Sequence, residues 1–108
     1  MKKFITLVLL ILTLSVTSQI QVVQFNANWN SANGVDWLNK LSDCKINQVD
    51  IAVDKAAQTK YQIIVVPTIV IFNNGEEIKR FQANIMMQME TKLEDIQNLV
   101  DETIMESF

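Results

Sequence analysis

The chain has 108 residues, a formal net charge of −3 and a hydrophobic content of 49%, which suits one small domain. It contains one cysteine and no histidine. These counts exclude an internal disulfide and the Ser–His or Cys–His nucleophile arrangements, and they argue against a zinc site. We therefore expect neither a metal nor a cofactor.

The first 18 residues have the layout of a secretory signal peptide. Two lysines form a basic start, and an apolar run follows from residue 4 to residue 16. Val16 and Ser18 are the small residues that predict cleavage after Ser18. The run is shorter than the roughly 20 residues of a membrane-spanning helix, and an uncleaved anchor is the alternative. We expect residues 19–108 to form a mature domain that is periplasmic or secreted.

The predicted mature domain is acidic. Without the first 18 residues, seven basic and twelve acidic side chains are left. Because phosphate contacts need clustered lysine and arginine, this charge argues against nucleic-acid binding. It also gives no reason to expect docking on an anionic membrane, and we expect no stable membrane insertion after signal cleavage.

Apolar periodicity predicts alternating strands and helices in the mature domain. Strands are predicted at residues 20–25, 47–52, 68–72 and 77–82, and helices from about residue 35, at 54–60 and from 91 onwards. Asn74 and Gly75 favour a tight hairpin, and Thr91 with Glu94 fits a capping box at the start of the last helix. Alternation followed by a hairpin predicts an α/β fold, with a mixed sheet of about four strands and helices on its faces.

Several segments taken together resemble the thioredoxin family. The matching segments are residues 23–29, 49–51, 60–61, 66–72 and 74–81. They resemble the strand and tryptophan before the thioredoxin active site, the next central strand, the stretch around the cis-proline, and the terminal hairpin. The resemblance implies a minimal thioredoxin-like fold that lacks the first strand and helix of the family.

The redox motif of that family, Trp-Cys-Gly-Pro-Cys, is replaced in this chain. Here it reads Trp29-Asn30-Ser31-Ala32-Asn33. Thiol–disulfide exchange needs one thiolate to attack a disulfide and a second thiol to resolve the mixed disulfide, and asparagine amides do neither. Gln24 stands where the family holds a buried acid. The sequence therefore predicts a redox-inactive domain rather than an oxidoreductase.

The family resemblance also implies a peptide-binding groove. In thioredoxins, the backbone beside the matching proline pairs with an extended peptide. By this resemblance the groove is formed by Trp29, Val66, Pro67 and Thr68. The alternative is that Pro67 only shapes the fold. We expect the partner to be a peptide or protein in extended conformation.

Cys44 leaves two interpretations open. It lies eleven residues beyond Asn33, too far to replace a cysteine of the motif. A free cysteine is often a buried structural residue. If Cys44 is exposed, it would form a mixed disulfide or a disulfide-linked homodimer, and Lys45 would lower its pKa modestly. A single-cysteine redox role is therefore the alternative function.

Three methionines, Met86, Met87 and Met89, stand close together before the last helix. Thioethers bind copper(I), which is a soft ion. Methionine also fills irregular apolar gaps, and this segment leads directly into an amphipathic helix. We favour packing in a core or groove over a copper site.

Overall fold

In this computed structural model, residues 19–108 are described, and the predicted signal peptide lies outside the described residues. The strands are β1 (Ile20–Asn26), β2 (Lys45–Asp50), β3 (Thr68–Asn73) and β4 (Glu76–Gln82), and the α-helices are α1 (Lys55–Lys60) and α2 (Leu93–Glu106). Two 3₁₀ helices, Asn28–Asn33 and Leu38–Lys40, connect β1 to β2.

The four strands form one mixed sheet in the order β2-β1-β3-β4. β1 pairs parallel with β2 and antiparallel with β3, and β3 pairs antiparallel with β4. The carboxyl ends of β1, β2 and β4 therefore meet the start of β3 at one end of the sheet. We call this end the loop end, and it carries residues 27–33, 51–54, 61–67 and 83–91. The predicted α/β class and mixed four-stranded sheet are confirmed.

Alternation along the strands divides the core into two layers. On one face, Val23 and Phe25 of β1 are buried with Ala57 of α1. On the other face, Val22 of β1 is buried with Ile96 of α2. Because side chains on a strand point alternately to opposite faces, this sheet needs apolar cover on both sides. α2 covers one face along fourteen residues, whereas α1 covers the other with only six.

The prediction of a helix from about residue 35 is wrong. The segment contains only the 3₁₀ helix Leu38–Lys40, because the flanking Gly34 and Leu41 are extended, with ψ angles of 149° and 146°. Helical hydrogen bonding therefore cannot continue on either side. The predicted inward face is nevertheless correct, since Leu38 and Leu41 are buried and Val35 packs against the same cluster.

β2 begins and ends two residues earlier than the predicted range 47–52. The backbone carbonyl of Asp50 accepts hydrogen bonds from the N–H groups of Val53 and Asp54, at 3.1 and 2.8 Å. The Oδ1 atom of Asp50 accepts another from the Ala52 N–H at 2.9 Å. These bonds form a turn directly after Asp50, and this turn ends the strand.

The last helix starts one residue later than the predicted capping box requires. Thr91 and Glu94 do not form the box. Instead, the Lys92 N–H donates to Oδ2 of Asp95 at 2.9 Å, so the same three-residue spacing is used one position further along. At α1, the predicted cap is confirmed, since Oδ1 of Asp54 accepts from the N–H three residues on.

The hairpin between β3 and β4 forms as predicted. Asn74 and Gly75 have φ angles of +55° and +85°, the left-handed conformations that an Asn-Gly turn favours. Asn74 also joins the hairpin to the start of β1, because its N–H donates to the Gln19 carbonyl at 3.0 Å. The turn therefore helps to fix the alignment of β1 with β3 at the end of the sheet opposite the loop end.

Candidate functional site

Asn30 and Asn33, the positions that the sequence interpretation matched to the two cysteines of the motif, contact each other directly. Nδ2 of Asn33 donates to Oδ1 of Asn30 at 2.8 Å. Nδ2 of Asn30 donates to Oδ1 of Asn26 at 3.1 Å and to the Val66 carbonyl at 3.3 Å. Asn30 is only 6% exposed, so these bonds satisfy an amide that burial would otherwise leave unpaired.

Gln24 contributes a further buried amide on β1, with 2% of its surface exposed. Its Oε1 atom accepts a hydrogen bond from the Val35 N–H at 2.9 Å, and its Nε2 atom lies 3.5 Å from the Val35 carbonyl as a donor. A carboxylate accepts hydrogen bonds but does not donate them. The site therefore fits glutamine better than the acid found in the family.

Gly34 lets the amides pack closely. A Cβ atom at this position would lie 3.1 Å from Nδ2 of Asn26 and 3.5 Å from Oε1 of Gln24. We call Gln24, Asn26, Asn30 and Asn33 the amide cluster. None of these side chains titrates or acts as a nucleophile under ordinary conditions. The cluster can hold backbone in place, but it cannot attack a disulfide.

The four residues of the predicted groove differ in exposure. Trp29 is 66% exposed, whereas Val66, Pro67 and Thr68 are buried. The Val66–Pro67 peptide bond is cis. Asn30 is brought beside Val66 by their hydrogen bond, so the motif positions and the proline stretch do meet in space. Trp29 is the member of the predicted groove that an outside partner can reach.

Besides Trp29, the loop end carries exposed apolar side chains that the sequence interpretation did not assign to a binding surface. Nine large hydrophobic side chains are exposed in residues 19–108, and six of them lie in its loops. The six are Trp29, Val53, Ile64, Ile85, Met86 and Met87. A sequence shows apolar residues between elements, but it does not show whether they face the core or the solvent. Exposed apolar groups that gather in one region mark interaction surfaces.

Asn84 holds the most exposed of these loops in a compact turn. Its Oδ1 atom accepts hydrogen bonds from the N–H groups of Met86 and Gln88, at 2.9 and 3.0 Å. Its backbone N–H donates to the Gln88 carbonyl at 2.9 Å, and its Nδ2 atom donates to Glu90 at 2.9 Å. Ile85, which is 100% exposed, is therefore held outward by a well-bonded turn.

The expectation of packing in a core or groove is wrong, as far as a core is concerned, for two of the three methionines. Met86 is 70% exposed and Met87 is 40% exposed. Met89 is partly buried against the cluster on the α2 face. The physical reason is the turn at Asn84, which directs residues 85–87 away from the sheet before the chain returns to start α2.

Cys44 is partly buried and packs against the α2 face of the sheet. Burial raises the pKa of the Cys44 thiol, and the nearby carboxylates of Asp43 and Asp101 raise it further. The net change in the thiol pKa is therefore opposite to the modest lowering by Lys45 that was expected for an exposed Cys44. A raised thiol pKa leaves less thiolate, and thiolate is the reactive form.

A cleft of about 490 Å³ opens on the α1 face of the sheet, beside β2. Phe25, Tyr61 and Phe72 form part of its lining, with ring centroids 5.2 and 5.6 Å apart. Asp54 and Lys60 lie at the same cleft. It opens where the short helix α1 leaves the sheet incompletely covered, away from the amide cluster.

Among residues 19–108, no helix combines the length and apolar character needed to cross a membrane. Within the same range, no three His, Cys, Asp or Glu side chains are grouped to hold a metal ion.

No family model matches this chain, and no curated protein matches it either. Solved structures do match. Thioredoxin 1 from Thermosipho africanus TCF52B is 20% identical, with a TM-score of 0.60, over 81% of this chain and 97% of that one. A mutant thioredoxin from Halobacterium salinarum NRC-1 is 19% identical, with a TM-score of 0.59, over 78% and 74%. Thioredoxin from Fasciola hepatica is 24% identical, with a TM-score of 0.54, over 93% and 91%. With the sheet order above, these similarities show that the chain has a thioredoxin-like fold.

Proposed function

We propose that this protein is exported and binds a peptide or protein partner at its loop end, without thiol–disulfide exchange. The observation that carries the proposal is the gathering of six of the nine exposed large hydrophobic side chains in the loops at that end. Covering apolar surface is favourable in water. A partner with an apolar segment in extended conformation suits this surface.

The amide cluster supports a role without redox turnover. Asn30 and Asn33 occupy the positions of the two sulfurs, and their side chains bond each other at 2.8 Å. The Val66 carbonyl already accepts a hydrogen bond from Asn30. We therefore assign the partner contacts mainly to side chains, with Trp29, Ile85 and Met86 as the central ones.

The turn at Asn84 supports binding by a preformed surface. Its hydrogen bonds fix residues 84–88 before any partner arrives. A loop that is already ordered loses less conformational entropy on binding. Asn84→Ala is expected to leave the sheet folded and to weaken partner binding severalfold, because Ile85 and Met86 would no longer be held outward.

Fluorescence of Trp29 tests the proposal. The chain has two tryptophans, so a Trp37→Phe background leaves Trp29 as the only reporter. The probes are synthetic peptides in which apolar and polar residues alternate. We expect a saturable fluorescence change with a subset of these peptides, and we expect Ile85→Asp and Met86→Asp to abolish it, since each places a charge in the apolar contact.

Met105 provides a matched control. It is 72% exposed, compared with 70% for Met86, and it lies at the end of α2 far from the loop end. Met105→Asp should bind peptides normally. If no peptide gives saturable binding, or if Met105→Asp weakens binding as much as Met86→Asp, the loop end is not the binding surface.

Crosslinking in the native host identifies the partner and tests export. A photoreactive residue at position 85 should capture a protein that the same residue at position 105 does not. The intact mass of this protein, purified from the same host, should correspond to a chain that begins at Gln19, as cleavage after Ser18 predicts. A mass that still includes residues 1–18 would contradict signal cleavage but not partner binding.

The alternative role through Cys44 has less support. Burial and two neighbouring carboxylates raise the pKa of this thiol, and an exchange-active cysteine needs the opposite. Cys44→Ser is expected to bind peptides as the natural protein does.

A further inference from the structure

The two edges of the sheet differ in how they are protected. Unpaired edge strands invite pairing with other chains, and charges and bulges are common guards against it. β4 carries four charged side chains and pairs with β3 through a register shift at Ile71 and Phe72. β2 carries charges only at its two ends, Lys45 and Asp50, and pairs with β1 without any shift. The middle of β2 is therefore the part of the sheet edges that is less protected against pairing with another strand.

The pairing with β1 determines which backbone groups of β2 point outward. The Ile51 N–H donates to the Asn26 carbonyl at 2.8 Å, so the odd-numbered residues of β2 face β1. N–H and C=O groups alternate in direction along a strand. Those of Ile46 and Gln48 consequently point away from the sheet, whereas the Asp50 carbonyl is used by the turn that follows.

We propose that two copies of this chain associate by antiparallel pairing of their β2 strands across a two-fold axis at Asn47. In this register, Ile46 of one copy lies opposite Gln48 of the other. All four outward N–H and C=O groups of Ile46 and Gln48 then have partners, and the turn at Asp50 is left undisturbed. This interface is independent of the loop end and leaves both loop ends uncovered.

The same register brings opposite charges together. Lys45, Asn47 and Val49 pair with β1 residues of the cleft face, so they share that face. Pairing at Asn47 places Lys45 opposite Val49 of the second copy. Val49, Asp54 and Lys60 line the same cleft. The Asp54 N–H donates to the Asp50 carbonyl at 2.8 Å, which holds Asp54 at the end of β2, so we expect Lys45 to meet the Asp54 carboxylate of the second copy. The two-fold axis creates this contact twice, and this charge match favours a second copy over an unrelated strand.

Sedimentation velocity of the protein purified from its host tests the proposal. We expect a concentration-dependent dimer that Gln48→Pro converts to a monomer, because proline removes an outward N–H and leaves the bonds to β1 in place. Gln48→Thr is the matched control, since it keeps the N–H and should still form the dimer. Circular dichroism checks that both variants are folded.

Hydrogen exchange of the natural protein gives a measurement that does not depend on a variant. Protection of the Ile46 and Gln48 amides should rise with protein concentration, whereas that of the Val49 amide, which faces β1, should not change. Protection that is independent of concentration at all three amides would overturn the proposal.

Charge variants test the register. Lys45→Glu should weaken the dimer severalfold, because it places like charges together. Adding Asp54→Asn should restore part of the affinity, since asparagine removes the repulsion and still caps α1. A monomer at every concentration, a dimer that Gln48→Pro does not affect, or a different protein bound along β2 would each contradict a second copy as the occupant.

Discussion

The Gln24 side chain binds the Val35 backbone through both ends of its amide. Its Oε1 atom accepts from the Val35 N–H at 2.9 Å, and its Nε2 atom lies 3.5 Å from the Val35 carbonyl. A side chain of β1 thus gives the connecting segment the pair of contacts that a neighbouring strand would give. This contact stabilises a segment that has no long helix of its own.

Gln24→Glu should destabilise the fold by about 1 to 3 kcal/mol at neutral pH, because a buried donor is lost and a charge is placed beside a carbonyl. Burial disfavours the charged form and raises the pKa of a carboxyl. The loss of stability caused by Gln24→Glu should therefore be small below the ordinary glutamate pKa of about 4.3. This loss should grow as the pH rises through the folded-state pKa of the new carboxyl group. Urea unfolding of both proteins at acidic and neutral pH measures it.

Gln21→Glu is the matched control on the same strand, since Gln21 is only partly buried and lines the open cleft. It should change stability by less than about 0.5 kcal/mol, as most surface substitutions do. Equal losses at positions 21 and 24 would mean that the Val35 contact contributes nothing specific.

Replacing Asn30 and Asn33 with cysteine should restore a redox-active pair. Asn30 and Asn33 lie three positions apart in one 3₁₀ helix, a spacing that puts side chains on the same side of such a helix, so we expect two cysteines there to reach each other. In a Cys44→Ser background, mild oxidation should make the double variant lighter by two hydrogens, and the variant should exchange with glutathione disulfide. A variant with serine at positions 30 and 33 should neither lose two hydrogens on oxidation nor exchange with glutathione disulfide. Failure to form the disulfide would show that positions 30 and 33 are not placed for a redox pair.

Cys44 should be alkylated slowly in the folded protein. Because the thiol pKa is raised, less thiolate is present at a given pH than in a free cysteine. Iodoacetamide at pH 8 should therefore react severalfold faster once the chain is unfolded in urea. Equal rates in the folded and unfolded states would show an accessible, unperturbed thiol and would revive the redox alternative.

Glu77 and Arg80 should contribute stability that depends on pH. Arg80 donates to both carboxylate oxygens of Glu77, at 2.7 and 2.8 Å, and these hydrogen bonds lower the pKa of Glu77 below its ordinary value of 4.5. The contribution is therefore present above pH 4.5 and is lost as the pH falls through the folded-state pKa. Because Glu77 is exposed and Arg80 is only partly buried, Glu77→Gln should cost less than about 1 kcal/mol at neutral pH.

Comparing the natural protein with Glu77→Gln in urea at neutral pH and below pH 4 measures this effect. Arg80→Lys is the useful second variant. It keeps the charge but loses the hydrogen bonds that Arg80 donates to the Tyr61 and Gln62 carbonyls. A stability difference for Glu77→Gln that is unchanged at low pH would show that the ion pair is not its cause.

Local patterns were sufficient for much of the fold. Apolar, β-branched runs and alternating apolar residues predicted the four strands, and the Asn-Gly turn and the Asp54 cap formed as expected. The first helix failed because apolar spacing at Val35, Leu38 and Leu41 is compatible with any conformation that turns these residues inward. The extended backbone at Gly34 decided that conformation, and apolar periodicity does not report it.

The sequence by itself determined that the chain has no pair of cysteines, because Cys44 is its one cysteine. Only the tertiary structure decided what replaced it. Asn30 meets Val66 across 36 positions of the chain, and the pKa of Cys44 depends on Asp101. The exposure of Ile85 follows from how the turn at Asn84 directs the chain. Contacts between distant residues depend on how the sheet brings strands together, so no local pattern contains them.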